Sequence, residues 1–151
     1  MSKLTKSEHW QCHIVEDGTG GLSNYYSIGI RKFLNKQELS RSRHFKPHKG
    51  VGILVNLSLI VPVGAIGRTA FTFASGSFGA MPLNLDSIIA PEFGIDEMVD
   101  TILGVFQDSI YRFLDRDELS QRLPPHIRPF EYCYCAEPWD RVFHVLFANT
   151  D

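Results

Sequence analysis

Between Gly50 and Leu85 the chain carries a single charged side chain, Arg68. An uncharged apolar stretch of that length has to be buried, in protein or in lipid, since about 18 such residues can cross a bilayer. The spacing of the letters decides between the two. Val51, Ile53, Val55, Leu57, Leu59 and Val61 take every second position, with Gly52, Asn56 and Ser58 between them. Period two with frequent β-branching describes a well-buried strand rather than a membrane helix. Pro62 and Gly64 supply turn chemistry, and Thr69, Phe71 and Phe73 resume the alternation on a second strand. Two paired strands satisfy each other's backbone groups, so no lipid is required.

The same grammar extends along the chain. Trp10, Cys12 and Ile14 alternate ahead of the turn signal Asp17-Gly18-Thr19-Gly20-Gly21, and residues 25–30 read as the return strand. Asn35 and Glu38 have the spacing of a capping box, which predicts a short helix to about Arg43, stopped by Pro47 and Gly50. Residues 75–79 read as a loop, and Pro82 and Pro91 punctuate an irregular connection. From Ile95 the residues Val99, Ile102, Leu103, Phe106, Ile110, Phe113 and Leu114 recur at three- and four-residue steps, which predicts one long amphipathic helix. Asp115 and Glu118 repeat the cap spacing and predict a second short helix ended by Pro124 and Pro125. Residues 130–136 and 142–148 read as two aromatic-rich strands. The expected fold is therefore α+β. An antiparallel sheet of about six strands, in the order ββα-ββα-ββ, packs on the long helix, with two short helices beside it. The 151 residues suit one domain spanning 1–151.

The charge is unevenly divided. Residues 1–70 hold ten basic and four acidic side chains, whereas residues 71–151 hold five basic and thirteen acidic ones. Arg31, Lys32, Lys36, Arg41, Arg43, Lys46 and Lys49 form a basic segment opposed only by Glu38. Interleaved with Phe33 and Phe45, it has the make-up of a surface for a phosphate backbone and exposed bases. An overall pI of about 6.3 argues against a dedicated nucleic-acid binder. Three cysteines cannot all pair within the chain, and residues 1–8 lack the apolar core of a secretory signal, so a reducing, cytoplasmic setting is expected.

Catalytic patterns are scarce. Cys12, His13, Cys133 and Cys135 carry zinc-ligating atoms, but Cys133 and Cys135 are two apart on an expected strand, about 6–7 Å from each other. His44 and His48 have helical spacing interrupted by Pro47. No phosphate-cradling or nucleophile-elbow motif occurs. No metal and no cofactor is expected.

The sequence therefore favours a non-catalytic protein-binding domain. Its form would be a small inhibitor, antitoxin or immunity-type protein that occludes a basic toxin or nuclease, without a membrane role. The partner-binding residues would be Glu97, Asp108, Tyr111, Asp115, Asp117 and Glu118, projecting from the acidic side of the long helix or just beyond it. The first alternative is a nucleic-acid or anionic-ligand module working through residues 31–49. The others are an enzyme built on a Cys/His pair and a viral or phage assembly component.

Overall fold

The computed structural model describes residues 10–15, 22–32, 48–74, 77–127, 139–147 and 149–150. Its centre is the uncharged stretch. Strand β1 (Trp10–Val15), the two-residue β2 (Leu22–Ser23), β3 (Tyr25–Lys32), β4 (His48–Ser58), β5 (Val63–Ala74) and β6 (Ser77–Ala80) follow one another along the chain. Five of them form an antiparallel sheet in the order β1-β3-β4-β5-β6, curled into a half-barrel so that β1 approaches β6. The Trp10↔Lys32 to Val15↔Ser27 register and the Gly64↔Leu57 to His48↔Phe73 register match the two expected hairpins. Residues 77–79, part of the loop expected at 75–79, instead pair together with Ala80 against Phe71–Ala74 as β6.

Every residue from Gly52 to Ser58 is buried, because both faces of β4 are covered. Ile53, Val55 and Leu57 join Ile30, Ile66, Val99, Ile102 and Phe113 on one face. Leu54 joins Phe71, Leu83, Leu114, Leu119, Phe143 and Phe147 on the other. The strand stops at Ser58, so Leu59, Ile60 and Val61 form an exposed hairpin tip instead of finishing the strand. Local bonds hold that tip, with Ser58 Oγ accepting from Ile60 N (3.2 Å) and Val61 O from Val63 N (2.7 Å).

Helix α1 (Glu97–Phe106) covers the first face. Asp96 accepts from Met98 N at 2.8 Å and caps it, while its second oxygen meets Arg68 at 2.7 Å. The single charge of the apolar stretch thus ties the start of α1 to β5. This helix is ten residues long, not the long helix expected to run to Leu114. After Gln107 the chain turns, and Arg112–Phe113 becomes strand β7, parallel to β5. Arg112 N and Leu114 N donate to Pro62 O (3.0 Å) and Gly64 O (2.9 Å). Phe113 and Leu114 therefore enter opposite cores, as neighbours on a strand must, and Ile110 is left 80 % exposed. A ladder edge that needed partners has overridden the helical spacing.

Helix α2 (Arg116–Leu119) carries the expected capping box, Asp115 accepting from Glu118 N (2.8 Å) and Glu118 from Asp115 N (3.1 Å). Of the strand expected at 142–148, the described residues 142–147 do not form it. Val142–Leu146 is helix α3, and Asn149–Thr150 is extended as β8, paired with β2. The reason is spacing, since Phe143, Leu146 and Phe147 stand three and four apart and enter the same core as Tyr25, whose ring meets Phe147 edge-on at 5.9 Å. The helix expected at 35–43, the turn at 17–21 and the strand expected at 130–136 lie outside the described residues.

A Cβ on Gly64 would sit 2.7 Å from Phe113 Cε1, whereas one on Gly79 would meet nothing within 4 Å. Gly64→Ala should lower stability by about 1–3 kcal/mol through overpacking, and Gly79→Ala should change it by less than about 0.5 kcal/mol. Denaturant midpoints that shift equally for both would disprove the packing of β7 on β5.

Candidate protein-docking groove

The early end of α1 leaves a groove of about 280 Å³ between the helix, the 91–93 connection and β7. Pro91, Phe93, Leu103, Phe106, Tyr111 and Phe113 line it, with Gln107 and Arg112 at its polar margin. Phe113 is its buried floor and Phe93, 66 % exposed, its outer wall. Phe106 stands edge-on to both neighbouring rings, 5.2 Å from Phe113 and 6.4 Å from Tyr111, so ring contacts fix the shape of the groove. The Tyr111 hydroxyl reaches Ser58 O at 3.4 Å and ties the groove to the hairpin.

Arg112 donates to Glu118 at 2.7 Å, and that guanidinium, followed by the Asp115 backbone amide, holds the Glu118 carboxyl below its usual range. The cation of the groove margin is thus neutralised. Glu92, between lining residues 91 and 93, and Asp108, next to Gln107, are exposed and have no ion-pair partner among the described residues.

The six acidic-face residues separate into different roles. Tyr111 lines the groove, Asp108 adjoins it and Glu118 reaches it through Arg112. Asp115 is occupied as the cap of α2, and Asp117 is exposed in its first turn. Glu97, at the opposite end of α1, lies about 14 Å along the helix axis from Phe106. Phe93 and Leu103 were not expected from sequence to be site residues. Phe93 and Glu92 stand in an irregular connection with no periodicity, and the spacing of Leu103 reads only as core.

Within the basic segment, Arg31 is buried at 2 % exposure, its guanidinium 3.4 Å from where a Gly50 Cβ would stand. It is therefore part of the interior and does not reach a solvent-borne phosphate. Lys32 and Lys49 lie on β3 and β4, while Lys36, Arg41, Arg43 and Lys46 lie outside the described residues. Cys12 and His13 are adjacent on β1 and so face opposite sides of the sheet. Burial pushes the Cys12 thiol up, which opposes thiolate formation. Cys133 and Cys135 fall outside the described residues. Among the described residues no cluster of His, Cys, Asp or Glu has metal-binding geometry, and no helix is long and apolar enough to cross a membrane.

Comparison with protein-family models, curated proteins and solved structures finds no match to this chain.

His144 is 6 % exposed in α3, where its Nδ1 accepts from Arg141 N at 3.2 Å. Burial pushes its pKa down, against a smaller upward pull from Asp140, and burial pushes His13 down as well. On acidification the unfolded chain takes up these protons first. The contribution of both groups is therefore complete above about pH 6.5 and lost as pH falls toward their folded values. The denaturant midpoint should drop between pH 7 and pH 5, and His144→Asn, which keeps an acceptor near the Nδ1 position, should flatten that drop. An unchanged slope in the variant would remove His144 from the account.

Proposed function

We propose that this chain is a non-catalytic protein-binding domain that takes a basic protein partner on the aromatic groove and its acidic margin. One observation carries the reading: four aromatic rings line an open groove whose cation is already bonded to Glu118, while Glu92 and Asp108 beside it have no ion-pair partner among the described residues. Aromatic side chains are the residues on which binding energy concentrates, and acids around them steer a basic partner and exclude acidic ones. The form of this function that we favour is an inhibitor, antitoxin or immunity-type protein that occludes a toxin or nuclease. Proteins that act on nucleic acid are commonly basic, because neutralising phosphates drives their binding. We place the domain in the cytoplasm, in line with an odd number of cysteines.

A photo-crosslinking residue in place of Phe93, introduced in the source cells, should capture a protein of high pI. Glu92→Lys with Asp108→Lys should leave the melting curve within about 0.5 kcal/mol of the parent. The same pair should slow association with the captured protein by about tenfold at low salt, with a smaller effect at high salt. Asp115 is unsuitable for this reversal, since losing that cap would cost about 1 kcal/mol. An acidic captured protein, or a rate indifferent to the double reversal, refutes the reading.

A further inference from the structure

The groove is continuous with a second apolar surface that its own lining does not include. Leu59, Ile60 and Val61 at the β4–β5 tip are 52 %, 56 % and 41 % exposed, and Ile110, 80 % exposed, directly precedes Tyr111, which bonds to the base of that tip. The junction is covalent and hydrogen-bonded: Arg112 N donates to Pro62 O at 3.0 Å, and Tyr111 Oη to Ser58 O at 3.4 Å. Tyr111 and Arg112 thus form one wall of the groove and one flank of the tip. Single exposed aliphatic residues are ordinary, but three in a row on a turn, where Asn, Gly and Asp serve best, mark a contact surface.

Charge selects the occupant. Glu92 and Asp108 border this surface and Asp117 lies on the neighbouring α2, with Arg112 neutralised by Glu118. An anionic bilayer would be repelled by these acids, and a second copy would bring acid against acid. Backbone accounting selects its conformation. An added strand needs a ladder of useful length, but the edge of β5 beside the tip is already paired to β7 through Val63↔Arg112 and Gly64↔Phe113, and β7 itself is only two residues long. At the tip itself Leu59 N, Ile60 N and Val63 N are bonded within the chain. A helix brings its own backbone bonds and needs only apolar contact.

We propose that the groove and the hairpin tip form one docking surface for an amphipathic basic helix of the partner, with one apolar anchor in the groove and another on Ile60 and Ile110. This rests on the reading of a basic protein partner and specifies its element. At 280 Å³ the groove sits at the small end of the ~300–1,000 Å³ clefts that enclose a ligand, which suits a side-chain anchor. Anchors on successive turns of a helix are about 5.4 Å apart and would straddle the Tyr111–Arg112 wall.

The probe is a labelled peptide of Leu and Lys, about 18 residues long, with Leu on one helical face. A composition-matched scramble without that face serves as its control. In fluorescence anisotropy with the full chain, the amphipathic peptide should bind at least about tenfold more tightly than the scramble. Ile60→Asp with Ile110→Asp, and separately Phe93→Ser, should each cost about tenfold or more. These side chains are exposed, and unchanged thermal melts would confirm that the variants fold. Equal binding of both peptides, weakened by Glu92→Lys with Asp108→Lys, would overturn the helix while leaving the basic-partner reading intact. No binding of either peptide also overturns the helix, and the crosslinking experiment then decides the reading separately. Cosedimentation with phosphatidylglycerol vesicles lost in Ile60→Asp would assign the surface to a membrane. Concentration-dependent dimers lost in the same variant would assign it to a second copy. Either result overturns the proposal.

Discussion

On the side away from β4, strand β5 presents a row of amide and carbonyl groups that cannot be left without partners once the strand is buried. Three separate segments meet that edge. At its start Arg112 and Leu114 bond Pro62 and Gly64, at its middle Ile89 N donates to Ile66 O, and at its end Met81 and β6 take over. The polypeptide between residues 80 and 114 is thereby led along that edge from the end of β5 to its start. Its helix has only the interval from residue 97 to 106 in which to lie over Ile53, Val55 and Ile66. The groove follows from this routing. To bring Arg112 against Pro62 the chain must leave the helix after Gln107, and the reversal sets Tyr111 and Phe113 against Phe106 from outside the helix.

Much of the sheet was legible because a two-residue period has few rivals. Ile53, Val55 and Leu57 announce one face of β4, and the antiparallel hairpins follow from the turn residues between alternating runs. The cap of α2 was legible for a similar reason, since the Asp115–Glu118 pair acts within four residues of itself. What could not be read was the competition between elements. Ile110, Phe113 and Leu114 continue the helical spacing of Val99 and Ile102 without a break, and nothing local says that a β5 edge claims them. Residues 142–148 failed the other way. Their β-branched and aromatic content suits a strand, while the three- and four-residue spacing of Phe143, Leu146 and Phe147 suits a helix, and a short segment satisfies both patterns.

The candidate site was half legible for the same physical reason. Tyr111 and Asp108 were singled out as features of a helix face that does not extend so far, yet the turn that replaces it keeps them together. Their apolar neighbour Phe93 comes from an irregular segment and gave no signal. The acids between residues 92 and 118 divide by their work. Asp96, Asp115 and Glu118 are committed to helix starts or to an arginine, while Glu92, Asp108 and Asp117 are exposed and free of ion pairs among the described residues. A capping carboxylate stabilises a helix by about 1 kcal/mol, while an unpaired exposed carboxylate adds little to folding. Only the second group is available to a partner at no structural cost.

This division also separates stability from recognition at Arg112. Its backbone amide belongs to the β5 edge and is shared by any residue other than proline, so the fold asks nothing of the side chain there. The guanidinium is 66 % exposed and its bond to Glu118 lies in solvent, where such pairs contribute about 0–1 kcal/mol. Its consequence is electrostatic. By holding Glu118 and being held by it, Arg112 removes one positive charge from the groove margin, and Glu92 and Asp108 then set the local sign. The strand that forces α1 to end thus also supplies the groove with its floor, Phe113, its wall, Tyr111, and its charge balance, within three consecutive residues.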